Sequence, residues 1–268
     1  MNDHERFFFD LNGYLVVEDA LTPEEVAACN EAIDRNPGRL TKEESISEGY
    51  QALKGARVRG DLYGMLSWPK PWSQPFRDLL AHPRILPYLV ELLREGFRLD
   101  HLYGIVMRKG AEGLRLHGGG TKDDITSFYQ FHNGRMRCGL TVVSWALTDT
   151  GPGDGGLMCI PGSHKSNYDV PEDMLGLDHD DGVVVQVETK AGSAIIFTEA
   201  LAHGTMPWRS EHERRSILYK YSPAPLSWDR LHLPEGSEDI MEELTPNQRA
   251  LLEPPYHGYL KRPQLAVD

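Results

Sequence analysis

A series of short β-rich runs between about residues 98 and 221 constrains the fold more than any other feature of this sequence. Turns that contain glycine or proline separate the runs, which cover residues 101–108, 114–117, 128–132, 138–147, 156–160, 183–188, 193–198 and 215–221. Many short strands with regular turn signals favour a sandwich, a barrel or a jelly roll. We therefore predict a mainly β fold with flanking helices around a double-stranded β-helix, a jelly roll of the cupin-like kind.

Helical signals flank this β-rich region on both sides. Thr22-Pro23-Glu24-Glu25 can start a helix, because Thr22 caps it, Pro23 fits its first turn and Glu25 completes a capping box. The predicted organisation is one domain over residues 1–268, with a helical N-terminal third (1–97), a jelly-roll core (98–222) and a helical C-terminal tail (236–254). No stretch of the sequence has the composition of a linker.

Charge and cysteine content exclude several classes of protein. A net charge of −12 argues against a nucleic-acid-coating surface, which needs clustered lysine and arginine. Three scattered cysteines do not form a disulfide framework, and the N-terminal residues lack the features of a signal peptide, so a cytoplasmic location is expected. No apolar run reaches the ~18 residues of a membrane span. The sequence carries no signal for an oligomeric state.

Two histidines at strand ends are the leading candidates for metal ligands. His117 follows the alternating Leu114-Arg115-Leu116 and precedes three glycines, and His203 comes 86 residues later (203 − 117), shortly after a β-rich run. Ferrous iron with an open coordination face takes imidazole ligands well. His132, in Phe131-His132-Asn133, is a second-ranked alternative to His117.

Several sequence blocks together resemble the phytanoyl-CoA dioxygenase-like branch of the iron(II)/2-oxoglutarate oxygenases. They appear in the family's order: Gly13-Tyr14-Leu15-Val16, Trp145-Ala146-Leu147-Thr148-Asp149, Gly155-Gly156-Leu157, Ile160-Pro161-Gly162-Ser163-His164-Lys165, Ala191-Gly192-Ser193-Ala194-Ile195-Ile196-Phe197, His203-Gly204-Thr205 and Arg214-Arg215-Ser216. The resemblance implies that His117 and His203 are the proximal and distal iron ligands. It implies that Arg214 binds the distal carboxylate of 2-oxoglutarate, with Thr205 adding a hydroxyl group.

The sequence departs from this family at position 119. The family's proximal motif is His-x-Asp, whereas this chain has His117-Gly118-Gly119. Glycine supplies neither a ligand nor a charge, so an anion is expected to fill the vacant position beside the metal. The pattern resembles the His-x-Gly or His-x-Ala motif of 2-oxoglutarate-dependent halogenases, in which chloride occupies that place. Backbone amides of residues 118–121 are expected to help hold the halide.

The function implied by this resemblance is chlorination of an unactivated carbon in a small metabolite. Its cofactors are iron(II), 2-oxoglutarate, dioxygen and chloride, and the substrate is a nucleotide or nucleoside by analogy with relatives that carry the same motif. One alternative is a hydroxylase whose carboxylate ligand comes from elsewhere in the sequence. The alternative metal ligands are then Asp123 and Asp154, in addition to His132. A second alternative is a lapsed or purely metal-binding domain.

The substrate-binding residues are less well determined by the sequence. Arg57 and Arg59 lie in a basic loop that fits a phosphate group, although a solvated loop has the same composition. Tyr129 and Trp145 lie on predicted strands that can face the cavity, although aromatic residues on strands more often belong to the core.

Overall fold

The computed structural model describes residues 1–42, 45–119, 124–179, 181–229, 237–257 and 260–267. The helices of this part of the chain are α1 (Asp3–Asn12), α2 (Pro23–Asp34), α3 (Gln74–Leu80), α4 (Leu86–Leu93), α5 (Glu172–Leu175) and α6 (Pro246–Leu251). The strands are β1 (Tyr14–Val17), β2 (Leu40–Lys42), β3 (Gly60–Leu62), β4 (Arg98–Met107), β5 (Leu114–His117), β6 (Tyr129–His132), β7 (Arg135–Cys138), β8 (Thr141–Ala146), β9 (Gly156–Cys159), β10 (Val185–Gln186), β11 (Ala194–Thr198), β12 (His203–Met206) and β13 (Arg214–Ser222).

Two antiparallel sheets form the core of the fold. The larger sheet has the strand order β1-β11-β8-β13-β4-β3-β2, and the smaller has the order β10-β9-β12-β5. Strands that are neighbours in each sheet are mostly distant in sequence, which is the crossover pattern of a jelly roll. The predicted double-stranded β-helix is therefore confirmed.

Each face of the larger sheet packs against a different layer. Side chains such as Val143, Ile217 and Tyr219 face a helical layer with Leu79 and Leu80 of α3. On the opposite face a second apolar cluster fills the space between the sheets, and it includes Met107, Val142, Cys159, Phe197 and Leu218. Because both faces are covered, β8, β11 and β13 are buried along nearly their whole length.

The capping box predicted at Thr22 is confirmed, and a second one is found near the C-terminal end. The Thr22 hydroxyl accepts a hydrogen bond from the Glu25 amide at 3.2 Å, and Glu25 accepts one from the Thr22 amide at 2.8 Å. Thr245 and Gln248 form the same reciprocal arrangement at the start of α6. These caps fix helix starts by satisfying backbone donors that have no partner within the helix.

Two strand predictions differ from the structure. Besides β1, the N-terminal third, which was predicted to be helical, supplies β2 and β3 to the larger sheet. The predicted run 138–147 is broken after Cys138, because Gly139 lies against the backbone of Thr126, where a Cβ atom would be 2.1 Å from the carbonyl oxygen. As a result, β6 and β7 form a separate hairpin.

No helix in the described ranges is both long and apolar enough to cross a bilayer. Cys29, Cys138 and Cys159 are all buried free thiols.

Candidate metal centre

The two histidines singled out by the sequence are direct cross-strand partners. Strands β5 and β12 are antiparallel neighbours, and their register places His203 opposite His117. The imidazole centroids are 4.2 Å apart. Two histidines that are 86 residues apart in sequence (203 − 117) are therefore neighbours on adjacent strands of the smaller sheet.

Backbone carbonyls orient both imidazole rings in the same way. The Nδ1 atom of His203 lies 2.7 Å from the carbonyl oxygen of Leu201, and Nδ1 of His117 lies 3.1 Å from that of Arg115. Donation from Nδ1 leaves Nε2 as the lone-pair nitrogen, which is the form that binds a metal. Burial, and then the neighbouring His117, lower the pKa of His203 to about 3, and burial also lowers the pKa of His117. Both rings are thus neutral at pH 7.

A carboxylate completes this pair, and it comes from a position that the sequence-based interpretation did not consider. Glu199 lies in the turn between β11 and β12, four residues before His203. One ligand atom from each of His117, Glu199 and His203 lies within 4.8 Å of the others. Glu199 Oε2 is 3.7 Å from His203 Nε2. Two imidazoles with one carboxylate form the usual donor set of a non-heme iron(II) centre.

Lys220 holds the other oxygen of this carboxylate. Its Nζ atom lies 2.7 Å from Glu199 Oε1, and both side chains are about nine-tenths buried. Burial alone would raise the pKa of Glu199, but the Lys220 ammonium and the two histidines lower it to about 2. Burial lowers the pKa of Lys220, but Glu199 outweighs it and the net shift is upward. The carboxylate is therefore ionised and leaves Oε2 available to a cation.

Gly119, the predicted chloride position, lies close to Ala202. Gly119 has a φ of +76°, and a Cβ atom at this position would lie 2.9 Å from the Cβ of Ala202. The backbone conformation and the Ala202 methyl group together explain why glycine is required here. Of the predicted halide-binding segment 118–121, residues 120 and 121 lie outside the described residues.

Arg214 lies in the same pocket as the two histidines, together with Thr205 on β12. It is buried, and its Nη1 atom lies 3.6 Å from the sulfur of Met107. Among the described residues, no carboxylate pairs with its guanidinium group. Burial, followed by repulsion from Arg59, lowers the pKa of Arg214 to about 10, which leaves it charged at pH 7. A buried cation without a counter-ion is suited to bind a carboxylate ligand in bidentate fashion.

Two of the three alternative ligands predicted from the sequence, His132 and Asp154, are not part of this cluster. His132 is exposed on the β6–β7 hairpin. The carboxylate of Asp154 accepts a hydrogen bond from the Gly151 amide at 2.7 Å, which closes a turn. Asp123 lies outside the described residues.

The predicted substrate-binding residues divide into two groups. Arg59 lines the pocket, with its Nε atom 3.0 Å from Asp61 Oδ1, whereas Arg57 is exposed. Trp145 points into the helical layer, where its ring lies 5.2 Å from that of His82, because only every second residue of β8 faces the pocket. Tyr129 donates a hydrogen bond to Asp10, away from the histidine pair.

Three functional candidates were not predicted from the sequence: Glu199, which lies beside the two histidines, and Lys220 and Tyr103, which line the pocket. The Glu199-x-x-x-His203 spacing was a usable signal for the first of these. Lys220 and Tyr103 had no such signal, since only the strand register shows which alternate residues of β13 and β4 face the pocket.

Comparison with known proteins places these features in context. The sequence model described as phytanoyl-CoA dioxygenase (PhyH) matches residues 9–216. Dioxygenase af480 of Aspergillus fumigatus is 26% identical over 250 residues, covering 85% of this chain and 75% of that protein.

Two solved structures share the fold. HygX from Streptomyces hygroscopicus, solved with nickel, 2-oxoglutarate and hygromycin B bound, has a TM-score of 0.69 at 22% identity and covers 88% of this chain and 94% of that chain. The 2-oxoglutarate-dependent epimerase SnoN from nogalamycin biosynthesis has a TM-score of 0.57 at 19% identity, with 83% of each chain covered.

Proposed function

Because the chain belongs to the phytanoyl-CoA dioxygenase family, we propose that it is an iron(II)- and 2-oxoglutarate-dependent oxygenase that oxidises a carbon–hydrogen bond of a small metabolite. Its proposed metal ligands are His117, Glu199 and His203. One observation carries this choice over a halogenase: the Glu199 carboxylate lies within 4.8 Å of the ligand nitrogens of both histidines. A protein carboxylate at this place supplies the charge that an external anion would otherwise supply.

Each side chain of the site has a role that follows from its contacts. The Nε2 atoms of His117 and His203 offer neutral lone pairs, because their Nδ1 atoms face backbone carbonyls. The ion pair between Lys220 and Oε1 of Glu199 favours binding of a metal through Oε2 alone. A carboxylate that binds through one oxygen leaves more of the metal's coordination positions open than one that binds through two.

Arg214 supplies the charge for the second cofactor. Its buried, unpaired guanidinium matches one carboxylate of 2-oxoglutarate, and Thr205 on the neighbouring strand offers a hydroxyl group. When bound, iron(II) and 2-oxoglutarate supply the activation of dioxygen. The apolar walls of the pocket, Ile105, Phe197 and Leu218, exclude water from the reacting groups.

The halogenase hypothesis remains the second candidate, because His117-Gly118-Gly119 is the motif that it requires. It places chloride beside Gly119 as the counter-ion of the metal. Two contacts weigh against it: Glu199 already provides an anion, and Ala202 occupies the direction in which a side chain at position 119 would project.

The relatives narrow the class of substrate. Hygromycin B is bound in HygX, and SnoN acts in nogalamycin biosynthesis. Both names point to ring-containing natural products, and we propose a cyclic metabolite in preference to a long acyl chain. A nucleotide belongs to this class and remains a proposed substrate. Arg59, which lines the pocket, would then contact its phosphate group.

The test compares turnover with and without halide. The protein, freed of metal and transferred to chloride-free buffer, is given iron(II), 2-oxoglutarate and air, and succinate is measured by mass spectrometry. Absorption of the iron–2-oxoglutarate complex in the visible range is recorded separately under nitrogen. The same measurements are made on Glu199→Ala and on Glu211→Ala, which removes an exposed glutamate instead.

We expect succinate and the visible absorption in chloride-free buffer from the wild type and from Glu211→Ala, and neither from Glu199→Ala. A strict requirement for chloride would instead support the halogenase hypothesis. Absence of both signals under every condition would show that the domain has lost its oxygenase activity.

A further inference from the structure

Three stacked rings lead from the pocket to the protein surface. Tyr103 lines the pocket, the His101 ring lies 6.2 Å from it at an interplanar angle of 8°, and the Trp228 ring lies 5.2 Å from His101 at 28°. We call these three residues the aromatic stack. Trp228 is 57% exposed, so part of this residue is accessible to a ligand.

A fully buried carboxylate holds the outer part of the aromatic stack in place. Asp100 lies 2.8 Å from Nδ1 of His101 and accepts hydrogen bonds from the Trp228 amide at 2.9 Å and the Asp229 amide at 3.1 Å. The hydroxyl of Ser222 adds a fourth contact at 2.9 Å. Because Asp100 holds the backbone of Trp228 and its indole stacks on His101, less freedom is left for this ring to lose on binding.

The strand register places the aromatic stack at the Lys220 end of the pocket, opposite to Arg214. On β13 and β4, Arg214 is paired with Met107, whereas Lys220 is paired with His101. Six residues of extended chain separate Arg214 from Lys220, which is roughly 20 Å. If Arg214 binds 2-oxoglutarate, the Lys220 end is the part of the pocket left for a substrate.

The charge at this end favours an acidic ligand. The Nζ atom of Lys220 lies 5.5 Å from the centre of the Tyr103 ring and 6.0 Å from that of Trp228. Its partner Glu199 carries one negative charge, and that charge is shared between two cations once Glu199 also binds a metal. Positive charge beside the rings is then left without full compensation, and a carboxylate or phosphate compensates it.

We propose that the aromatic stack and Lys220 form a substrate subsite for a flat ring that carries an acidic group. The ring lies against Trp228, and its acidic group points inward to Lys220. This inference rests on the proposed function, because it takes the Arg214 end of the pocket to be the cofactor's.

Binding of small probe molecules tests this subsite without turnover. Protein loaded with nickel(II) and 2-oxoglutarate is titrated by calorimetry with 2-naphthoate, with its neutral analogue 2-naphthamide and with hexanoate, which has the charge but no ring. Nickel and 2-oxoglutarate binding are measured first, in separate titrations. The variants are Trp228→Ala and, as a control, Phe7→Ala, which removes an aromatic ring that is 63% exposed on α1.

We expect 2-naphthoate to bind more tightly than both other probes, and Trp228→Ala to weaken it about 3- to 10-fold, the range for loss of one ring–ring contact. Phe7→Ala leaves the affinity unchanged. The proposal is overturned if 2-naphthamide or hexanoate binds as tightly, if 2-naphthoate does not bind, or if Trp228→Ala has no effect. Failure of nickel or 2-oxoglutarate to bind refutes the proposed function itself, and the subsite with it.

Discussion

Removal of Glu199 separates its two roles, as a metal ligand and as the partner of Lys220. Three variants are compared: Glu199→Ala, Lys220→Met and the double variant. In both single variants one buried charge loses its partner, whereas the double variant removes both charges together. We expect both single variants to be less stable than the double variant, and only those without Glu199 to lose metal binding.

The size of the effect follows from the burial of this pair. Lys220 is 10% exposed and Glu199 11%, with 2.7 Å between the charged atoms, so solvent screens the pair little. Unit charges ~4 Å apart interact by about 4 kcal/mol at an effective dielectric constant of 20. Loss of one partner from a buried pair costs about 3–5 kcal/mol. We expect each single variant to lose about that much in the free energy of unfolding, and the double variant to recover most of it.

Urea unfolding of the metal-free proteins measures the stability part, with Glu211→Ala as an exposed control that should cost less than about 1 kcal/mol. Titration with iron(II) under nitrogen measures the metal part. Mutation of groups that only hydrogen-bond to metal ligands already lowers metal affinity about 10- to 100-fold. Loss of a ligand should therefore lower the affinity for iron(II) by at least about 100-fold. A double variant that is stable and binds iron as tightly as the wild type would refute the assignment of Glu199 as a ligand.

Three further predictions concern other parts of the site and the fold. Arg214→Lys should weaken 2-oxoglutarate binding about 10-fold or more in calorimetry, because the bidentate fork is lost, while the exposed Arg57→Gln should not. Gly119→Asp should lower the free energy of unfolding by about 1–3 kcal/mol, because the positive φ and the contact with Ala202 disfavour any side chain; an unchanged melting temperature would contradict this. Burial, and then Lys165, lower the pKa of His164 to about 4 in the folded protein, so its stabilising contribution is complete above its ordinary pKa of 6.5 and is lost as the pH falls towards 4. Between pH 7 and pH 5 the free energy of unfolding of the wild type, measured with urea, should therefore fall by about 2 kcal/mol more than that of His164→Asn. Equal decreases would contradict the lowered pKa of His164.

The sequence was sufficient to predict the architecture because its signals are local. The alternation of short strands and turns predicted the jelly roll, and the capping box at Thr22 predicted a helix start that the structure contains. The pairing of His117 with His203 was predictable only through the family resemblance, since nothing in the local sequence specifies which strands become neighbours.

The environment of the metal was harder to predict, because it depends on which atoms meet across strands. Absence of Asp at position 119 was interpreted as a vacancy, and the interpretation did not consider Glu199, whose carboxylate lies beside both histidines. For Trp145 the sequence left open whether it faces the cavity or the core; the alternation of side chains along β8 directs it to the helices and directs Ser144 to the pocket. A shift of one residue in a strand reverses every such assignment.

The origin of the three proposed ligands has a consequence for the dynamics of the smaller sheet. Glu199 and His203 come from one short segment, whereas His117 ends the neighbouring strand β5, just before glycines at positions 118 and 119. An ion bound to all three therefore fastens the last residues of β5 to the start of β12. Amide hydrogens in the last residues of β5 and at the start of β12 should exchange with deuterated water more slowly once the ion is bound. Those of the β6–β7 hairpin should keep their exchange rates.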